Sequence, residues 1–228
     1  MTTTLKLNDV TKNFGGTDVL SGITLELSSG ETAAIMGPSG SGKSTLLHCM
    51  SGVLLPTTGR VHFGTTDLTE LNDGDRSHLR LSSFGFIFQD GQLLPELTAA
   101  ENIALPATLT GTSRRKARRR AVHLLDQLGL GEFADRRPGQ LSGGQAQRVA
   151  IARALATEPA VIFADEPTGA LDQATGHDVM QMLTTLVRQQ GSTLVLVTHD
   201  AQVADWLDRR IELRDGIIHD DRQLGAAR

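Results

Sequence analysis

Gly37-Pro38-Ser39-Gly40-Ser41-Gly42-Lys43-Ser44-Thr45 fills every specified position of the pattern G-x-x-x-x-G-K-[ST]. Glycines at those spacings let backbone N–H groups turn inward and approach an anion that a Cβ would hold off. The preceding residues, Glu31 to Met36, read as a short apolar strand, and Ser44 to Met50 reads as the start of a helix. The stretch therefore lies in a strand-loop-helix setting, where the helix N-terminus adds its positive end toward a phosphate. Lys43 is placed to reach the β- and γ-phosphates, and the Ser44 hydroxyl to coordinate Mg²⁺. The expected ligand is a nucleoside triphosphate with Mg²⁺.

Outward from the loop, the chain of 228 residues is long enough for one α/β domain with a smaller subdomain. A formal net charge of −4 supplies no general attraction to nucleic acid or an anionic membrane. The single cysteine, Cys49, excludes an internal disulfide framework and sits beside Leu46, Leu47 and Met50 as an apolar filler. The start, Met-Thr-Thr-Thr-Leu-Lys, has no basic and apolar regions of a signal peptide, and no run of about 18 apolar residues occurs. The chain is expected to be soluble by itself.

Residues 4–11 and 19–28 alternate apolar and polar, which predicts antiparallel strands ahead of the phosphate-loop strand. Further strands are expected at Arg60–Phe63, Phe84–Phe88, Ala160–Ala164 and Thr193–Val197, with a closing hairpin turned at Asp215-Gly216. Between Gln89 and Leu155 helical patterns follow one another at 99–109, 113–128 and 142–155, and a long amphipathic helix spans 173–190. The predicted fold is α/β: a P-loop NTPase (RecA-like) core over 1–88 and 156–228, with an N-terminal antiparallel β part. Residues 89–155 form an inserted α-helical subdomain, and 1–228 make one nucleotide-binding domain. The run Arg114-Arg115-Lys116-Ala117-Arg118-Arg119-Arg120 reads as a solvated helix face in preference to a site for nucleic acid or lipid headgroups, since it lacks the interleaved aromatics that stack bases. No nucleic-acid partner is expected.

Ala160–Ala164 delivers Asp165 and Glu166 at its carboxyl end, the edge where ligands sit in open α/β sheets. Asp165 is the candidate metal partner of Ser44. Glu166 beside it is the candidate for orienting and deprotonating the attacking water. Gln89 and His199 fall at two further strand ends. Leu141-Ser142-Gly143-Gly144-Gln145 opens a helix with Ser142 as N-cap, which makes a second anion site in a chain that already has one.

Residues 141–154, Leu-Ser-Gly-Gly-Gln-Ala-Gln-Arg-Val-Ala-Ile-Ala-Arg-Ala, resemble the signature of ATP-binding-cassette (ABC) ATPases. So do the phosphate loop, Gln89, the run from Ala164 to Asp172, and Leu196-Val-Thr-His199-Asp200, all in the family's order. The resemblance covers essentially the whole chain. It implies a head-to-tail pair of identical cassettes, in which Ser142, Gly143, Gly144 and Gln145 of one copy meet the γ-phosphate held by Lys43 of the other. It also implies that Gln89 opens a loop sensing Mg²⁺ and a membrane partner, that Asp172 spans the interface, and that His199 holds the γ-phosphate. Phe14 matches the adenine-stacking aromatic, usually tyrosine, although periodicity alone favours a core position for it. Ala146 departs from the common glutamine.

Gln89–Thr98 and Pro167–Asp172 resemble the branch serving macrolide and peptide exporters, lipoprotein release, haem efflux and cell-division complexes. Within that branch the expectation is the ATPase subunit of an efflux or extraction transporter. Its partners are a second copy of itself and two permease subunits of four membrane helices each, and its place is the cytoplasmic face of the membrane. The alternatives are a cell-division ATPase that signals without transport and a soluble, non-transport cassette.

Overall fold

A computed structural model describes residues 5–224. Residues 1–4, on which the signal-peptide reading partly rests, lie outside them. Two sheets organise the chain. The first is antiparallel, in the order β2-β1-β4-β5, from β1 (Leu5–Phe14), β2 (Thr17–Leu27), β4 (Thr58–Phe63) and β5 (Thr66–Asp67). The second has six strands, of which β3 (Thr32–Met36), β6 (Phe84–Ile87), β7 (Val161–Asp165), β8 (Thr193–Val197) and β9 (Arg209–Arg214) run parallel. Its antiparallel edge strand is β10 (Ile217–Gln223), and the order is β10-β9-β3-β8-β7-β6.

The inner strands β7 and β8 are almost wholly apolar because both of their faces are covered, whereas β9 is polar at Arg209, Arg210, Glu212 and Arg214. Val161, Phe163, Val195 and Val197 face one core, shared with β1, β2 and α1 (Lys43–Met50). Ile162, Ala164, Leu194 and Leu196 face a second core, shared with α5 (Gly143–Leu155) and α6 (Gln173–Gln190). That is the period-two alternation of a strand with no solvent side. A third core joins α3 (Ala99–Leu109), α4 (Arg114–Gln127) and α5. The helix α5 supplies Ile151 and Leu155 to the sheet and Val149 and Ala152 to the helical cluster, so it is the shared wall between the two.

Three features differ from the sequence expectation. Helix α2 (Asp73–Ser83) follows β5 in a stretch with no apolar stripe, and among its residues only Arg76 is buried. It is started instead by chemistry: Asn72 accepts a hydrogen bond from Asp75 N, and Asp73 and Asp75 meet the positive helix end. Phe88 lies beyond β6, which ends at Ile87. Phe14 is not a core residue: it is 48% exposed, because it stands at the hairpin end of β1, past the last rung that covers the core. The closing hairpin turns as expected, with φ of 48° at Asp215 and 74° at Gly216. A four-residue helix, α7 (Ala201–Ala204), follows β8. No helix among the described residues is long and apolar enough to cross a membrane.

Candidate functional site

The carboxyl ends of β3, β7 and β8 lie level, since Val197 is paired with both Ile35 and Asp165. The phosphate loop leaves β3 and enters α1 at this edge. Gly37 has φ 155°, and a Cβ there would lie 2.0 Å from the Leu213 carbonyl oxygen of β9. Gly42 has φ 97°, and its Cβ would lie 2.7 Å from Val19 O. Only glycine therefore lets the loop lie this close to two neighbouring strands. Lys43 folds back over the loop and donates from Nζ to Gly37 O at 2.9 Å and Pro38 O at 2.8 Å. Ser39 and Gly40 are exposed and Thr45 is half-buried. The Ser41 hydroxyl oxygen is buried inside the loop with no hydrogen-bond partner. A buried orphan of this kind is expected where a ligand completes the bonding.

Ser44 Oγ donates to Asp165 Oδ1 at 3.3 Å, which joins the loop to the end of β7. The next residue, Glu166, adopts φ 48° while its N–H is held by Val197 O at 2.9 Å. This turn separates the two carboxylates: Asp165 goes to the loop, and Glu166 goes to the segment after β8. There Glu166 Oε1 lies 2.7 Å from His199 Nδ1, and Oε2 accepts from Thr198 Oγ1 at 3.3 Å. The Glu166 side chain is 20% exposed and that of His199 is 72% exposed, so the pair faces open space with the carboxylate on the inner side. Gln89, exposed beyond β6, lays its side chain against Gly169, where an added Cβ would come within 3.0 Å of its Nε2. Asp172 caps α6, accepting from Thr175 N at 3.1 Å and Thr175 Oγ1 at 2.6 Å. The Thr175 bonds hold its carboxyl below the usual range.

Ser142 and Gln145 form a reciprocal cap at the start of α5. Ser142 Oγ accepts from Gln145 N at 3.3 Å, and Gln145 Oε1 accepts from Ser142 N at 2.8 Å. The Gln145 side chain is thus occupied locally. Gly144 faces Thr175, where a Cβ would meet the Thr175 methyl at 2.6 Å, and Gly143 faces Leu171. Ser142–Gln145 accordingly rests on the start of α6. Among the described residues no hydrogen bond links it to the phosphate loop. One chain brings together the loop, Asp165, Glu166 and His199 and leaves the glycine tip of α5 elsewhere.

Sequence reasoning missed three residues. Gln147 is buried and donates from Nε2 to Phe88 O at 3.1 Å and Pro167 O at 2.7 Å. Arg153 donates to Gln92 O at 2.7 Å and Gly91 O at 2.8 Å. Together they fasten the segment after β6 to α5. Thr198, the third, orients Glu166. The available signal was polar side chains interrupting the apolar stripe of a helix, which buried polar groups do only with partners. Beside that segment lies a groove of about 440 Å³ lined by Val53, Arg80, Phe86, Phe88 and Gln92 among others.

Phe14 and Lys12 form a pair near the end of β1: Lys12 Nζ lies 5.0 Å from the ring centroid and donates to Leu55 O at 2.8 Å. Because the ring is half exposed, Phe14→Ala is expected to leave thermal stability nearly unchanged, and, if the ring stacks on the base as the family resemblance implies, to weaken nucleotide binding by about 1 to 2 kcal/mol. Calorimetric titration with a non-hydrolysable nucleotide checks this, and unchanged affinity would remove the ring from the nucleotide site. Cys49 on α1 is inert by comparison. Burial pushes its thiol up to about 11, which keeps the nucleophilic thiolate scarce at neutral pH.

Residues 20–169 match the family described as ABC transporter. The chain is 48% identical over 221 residues to the macrolide export ATP-binding/permease protein MacB of Brucella melitensis, a match covering 95% of this chain and 34% of that protein. The chain therefore spans about a third of the length of that relative. It is 44% identical over 214 residues to the lipoprotein-releasing system ATP-binding protein LolD of Bacteroides fragilis, covering 94% of this chain and 99% of that one. Among solved structures, the dimeric post-hydrolysis state of the ATP-binding cassette MJ0796 bound to ADP and phosphate superposes with a TM-score of 0.89. That match is 42% identical and covers 96% of this chain and 98% of that chain. With the phosphate loop, the Asp165-Glu166 strand end and the capped glycine tip in this arrangement, the chain belongs to the ABC transporter family as an ATPase cassette.

Proposed function

We propose that the chain is the ATP-hydrolysing subunit of an efflux or extraction transporter, and that two copies close head to tail on ATP. The observation that carries this reading is the division of the site. The phosphate loop and the glycine tip of α5 are both built to face an anion, yet one chain keeps them apart. In the closed pair, Ser142, Gly143 and Gly144 of one copy would contact the terminal phosphate held by Lys43 and the loop amides of the other. Gln145 would support that tip through its cap, and Asp172 would lie across the interface.

Within each site, Gly37, Ser39, Gly40, Ser41, Gly42 and Thr45 would line the polyphosphate with Lys43, and Phe14 would stack on the base. Ser44 and Asp165 offer a hydroxyl and a carboxylate oxygen, with the Gln89 amide oxygen as a third hard donor. Mg²⁺ prefers such a sparse oxygen set with water filling the remainder. When bound, the cation would offset the charge that develops on the phosphoryl oxygens. Glu166, held by Thr198 and His199, would take the proton of the attacking water, and His199 would then face the γ-phosphate. The division into a core (1–88 and 156–228) and a helical part (89–155) would let α3 to α5 carry the glycine tip as one body.

The groove beside Phe88–Gln92 suits a helical segment of a permease: it is mostly apolar, and its wall is the segment that Gln147 and Arg153 tie to α5. Motion of α5 on closure would reach that partner directly. The partners are then two permease subunits, of four membrane helices each, at the cytoplasmic face of the membrane. Affinity purification of the tagged chain from detergent-solubilised native membranes tests this. The expected result is a membrane subunit of the exporter type in one-to-one ratio with the chain. Recovery with a many-span importer permease and an extracytoplasmic binding protein would overturn the efflux reading.

A further inference from the structure

As a helix, α4 is electrostatically frustrated. Arg114, Arg115 and Lys116 occupy its first turn, which holds no acid, although that end carries the positive pole of the macrodipole. Lys116, Arg119 and Arg120 then recur at i, i+3 and i+4, with His123 at i+7, so they share one stripe, where the three cations repel. Of the six cations between 114 and 120, two have an acidic partner among the described residues: Arg118 with Asp135 at 3.0 Å and Arg120 with Glu158 at 2.6 Å. The helix is held in place by its other face, through Ala117, Ala121, Leu124 and Leu125. The basic stripe is thus not needed to pack α4.

That stripe lines a cavity of about 700 Å³ together with Thr112, Thr157 and Glu158, the partner of Arg120, while Ser82 and Thr110 in the same wall already donate to Leu79 O and Ala107 O. Arg120 Nε is buried and has no hydrogen-bond partner. Leu109, the last residue of α3 and the neighbour of Thr110, is 63% exposed, the largest exposure of any large hydrophobic side chain among the described residues. Through Thr157 the cavity adjoins the apolar groove beside Phe88.

We propose that this face docks on an anionic phospholipid surface. Lys116, Arg119 and the hydroxyls of Thr112 and Thr157 would receive headgroup phosphates, and Leu109 would enter the acyl boundary. An exposed leucine beside unpaired cations is the pairing of apolar insertion and charge attraction that peripheral membrane contacts use. The overall charge of −4 opposes adsorption through the rest of the surface, so the stripe would also set the orientation. The headgroup layer supplies the anions that remove the repulsion along α4. This inference rests on the reading that the chain works against a membrane.

The test uses the purified chain alone, so that its failure is distinct from failure of the transporter reading. Cosedimentation compares vesicles of phosphatidylglycerol and phosphatidylcholine with vesicles of phosphatidylcholine only. Binding is expected to the acidic vesicles alone and to weaken with salt. Each cation near such a surface is worth on the order of fivefold in partition. Lys116→Glu with Arg119→Glu should therefore lower binding at least tenfold, and Leu109→Ser should lower it independently. All three residues are exposed, so unfolding temperature and basal ATP hydrolysis should stay at wild-type values. Equal binding to both vesicle types, or no binding to the acidic ones, would overturn the proposal, as would a double variant that binds like wild type. If vesicles fail while the double variant loses its permease on copurification, the stripe meets an acidic protein segment and the lipid proposal falls.

Discussion

Glu166→Gln should retain ATP binding and lose roughly 10²- to 10⁴-fold in turnover, the range expected when a positioned general base is removed. The substitution is nearly isosteric, and the amide oxygen can still accept from Thr198 Oγ1, the bond the carboxylate makes at 3.3 Å. The backbone position, at φ 48° and held by Val197 O, is likewise no harder for glutamine than for glutamate. Folding should therefore be nearly unaffected, and the loss should appear in kcat with KM little changed. With hydrolysis stalled, the ATP-loaded variant should accumulate as a dimer on size-exclusion chromatography and return to monomer when nucleotide is removed. Near-normal hydrolysis would take Glu166 out of the role of base. A variant that stalls but stays monomeric at saturating ATP would instead contradict the shared site.

Gly37→Ala is the second large effect, and it acts through shape. The new methyl would lie 2.0 Å from Leu213 O and 2.8 Å from Ser41 Oγ, at a φ of 155° that L-residues avoid. Leu213 O is backbone, so no side chain can rotate away. Either the loop or the β3–β9 pairing, in register through Met36 and Glu212, must move. A loss of about 3 to 5 kcal/mol is expected, a large part of a stability of about 5 to 15 kcal/mol. For a chain of this size that corresponds to roughly 6 to 20 °C in unfolding temperature. Nucleotide binding should fall at least tenfold as well, because the loop amides lose their alignment. Gly40→Ala is the matched control: its Cβ would meet nothing within 4 Å, so only the positive φ of 80° is strained. Differential scanning fluorimetry with and without nucleotide reads both quantities. Equal behaviour of the two variants would show that the contact with β9 does not govern the loop.

Much of the fold could be read from local pattern. The alternation in β1 and β2, the apolar runs of β7 and β8 and the capped, amphipathic helices follow from periods of two and 3.6 residues. Helices α3 and α6 begin as expected because N-caps mark them, Thr98 with Glu101 for α3 and Asp172 with Thr175 for α6, and α6 ends at Gly191 with φ 69°. The failures have physical causes too. In α2 there is no apolar stripe to detect, and its start is carried by one asparagine. Phe14 is apolar and lies in a strand, but it pairs only with Thr17 at the hairpin end, beyond the last β4 pair at Thr11 and Thr58, so hydrophobicity misreports its burial. Gln147 and Arg153 look like surface polar residues until Phe88, Pro167, Gly91 and Gln92 arrive from other parts of the chain to accept their hydrogen bonds.

The sequence by itself determined the chemistry on offer: a glycine-rich loop ending in Lys43 and Ser44, adjacent acids at a strand end, and a second helix tip with free amides. Those depend on residue types at short, fixed spacings, which local backbone geometry turns directly into structure. Only the tertiary structure decided which of them meet. The level ends of β3, β7 and β8 bring Ser44 to Asp165 and Glu166 to His199, while the packing of α5 against α6 holds Ser142–Gln145 away from the loop. Distances of that kind are set by strand register and core packing between segments 33 residues apart for Glu166 and His199 and 121 apart for Ser44 and Asp165, and no short window of sequence contains them.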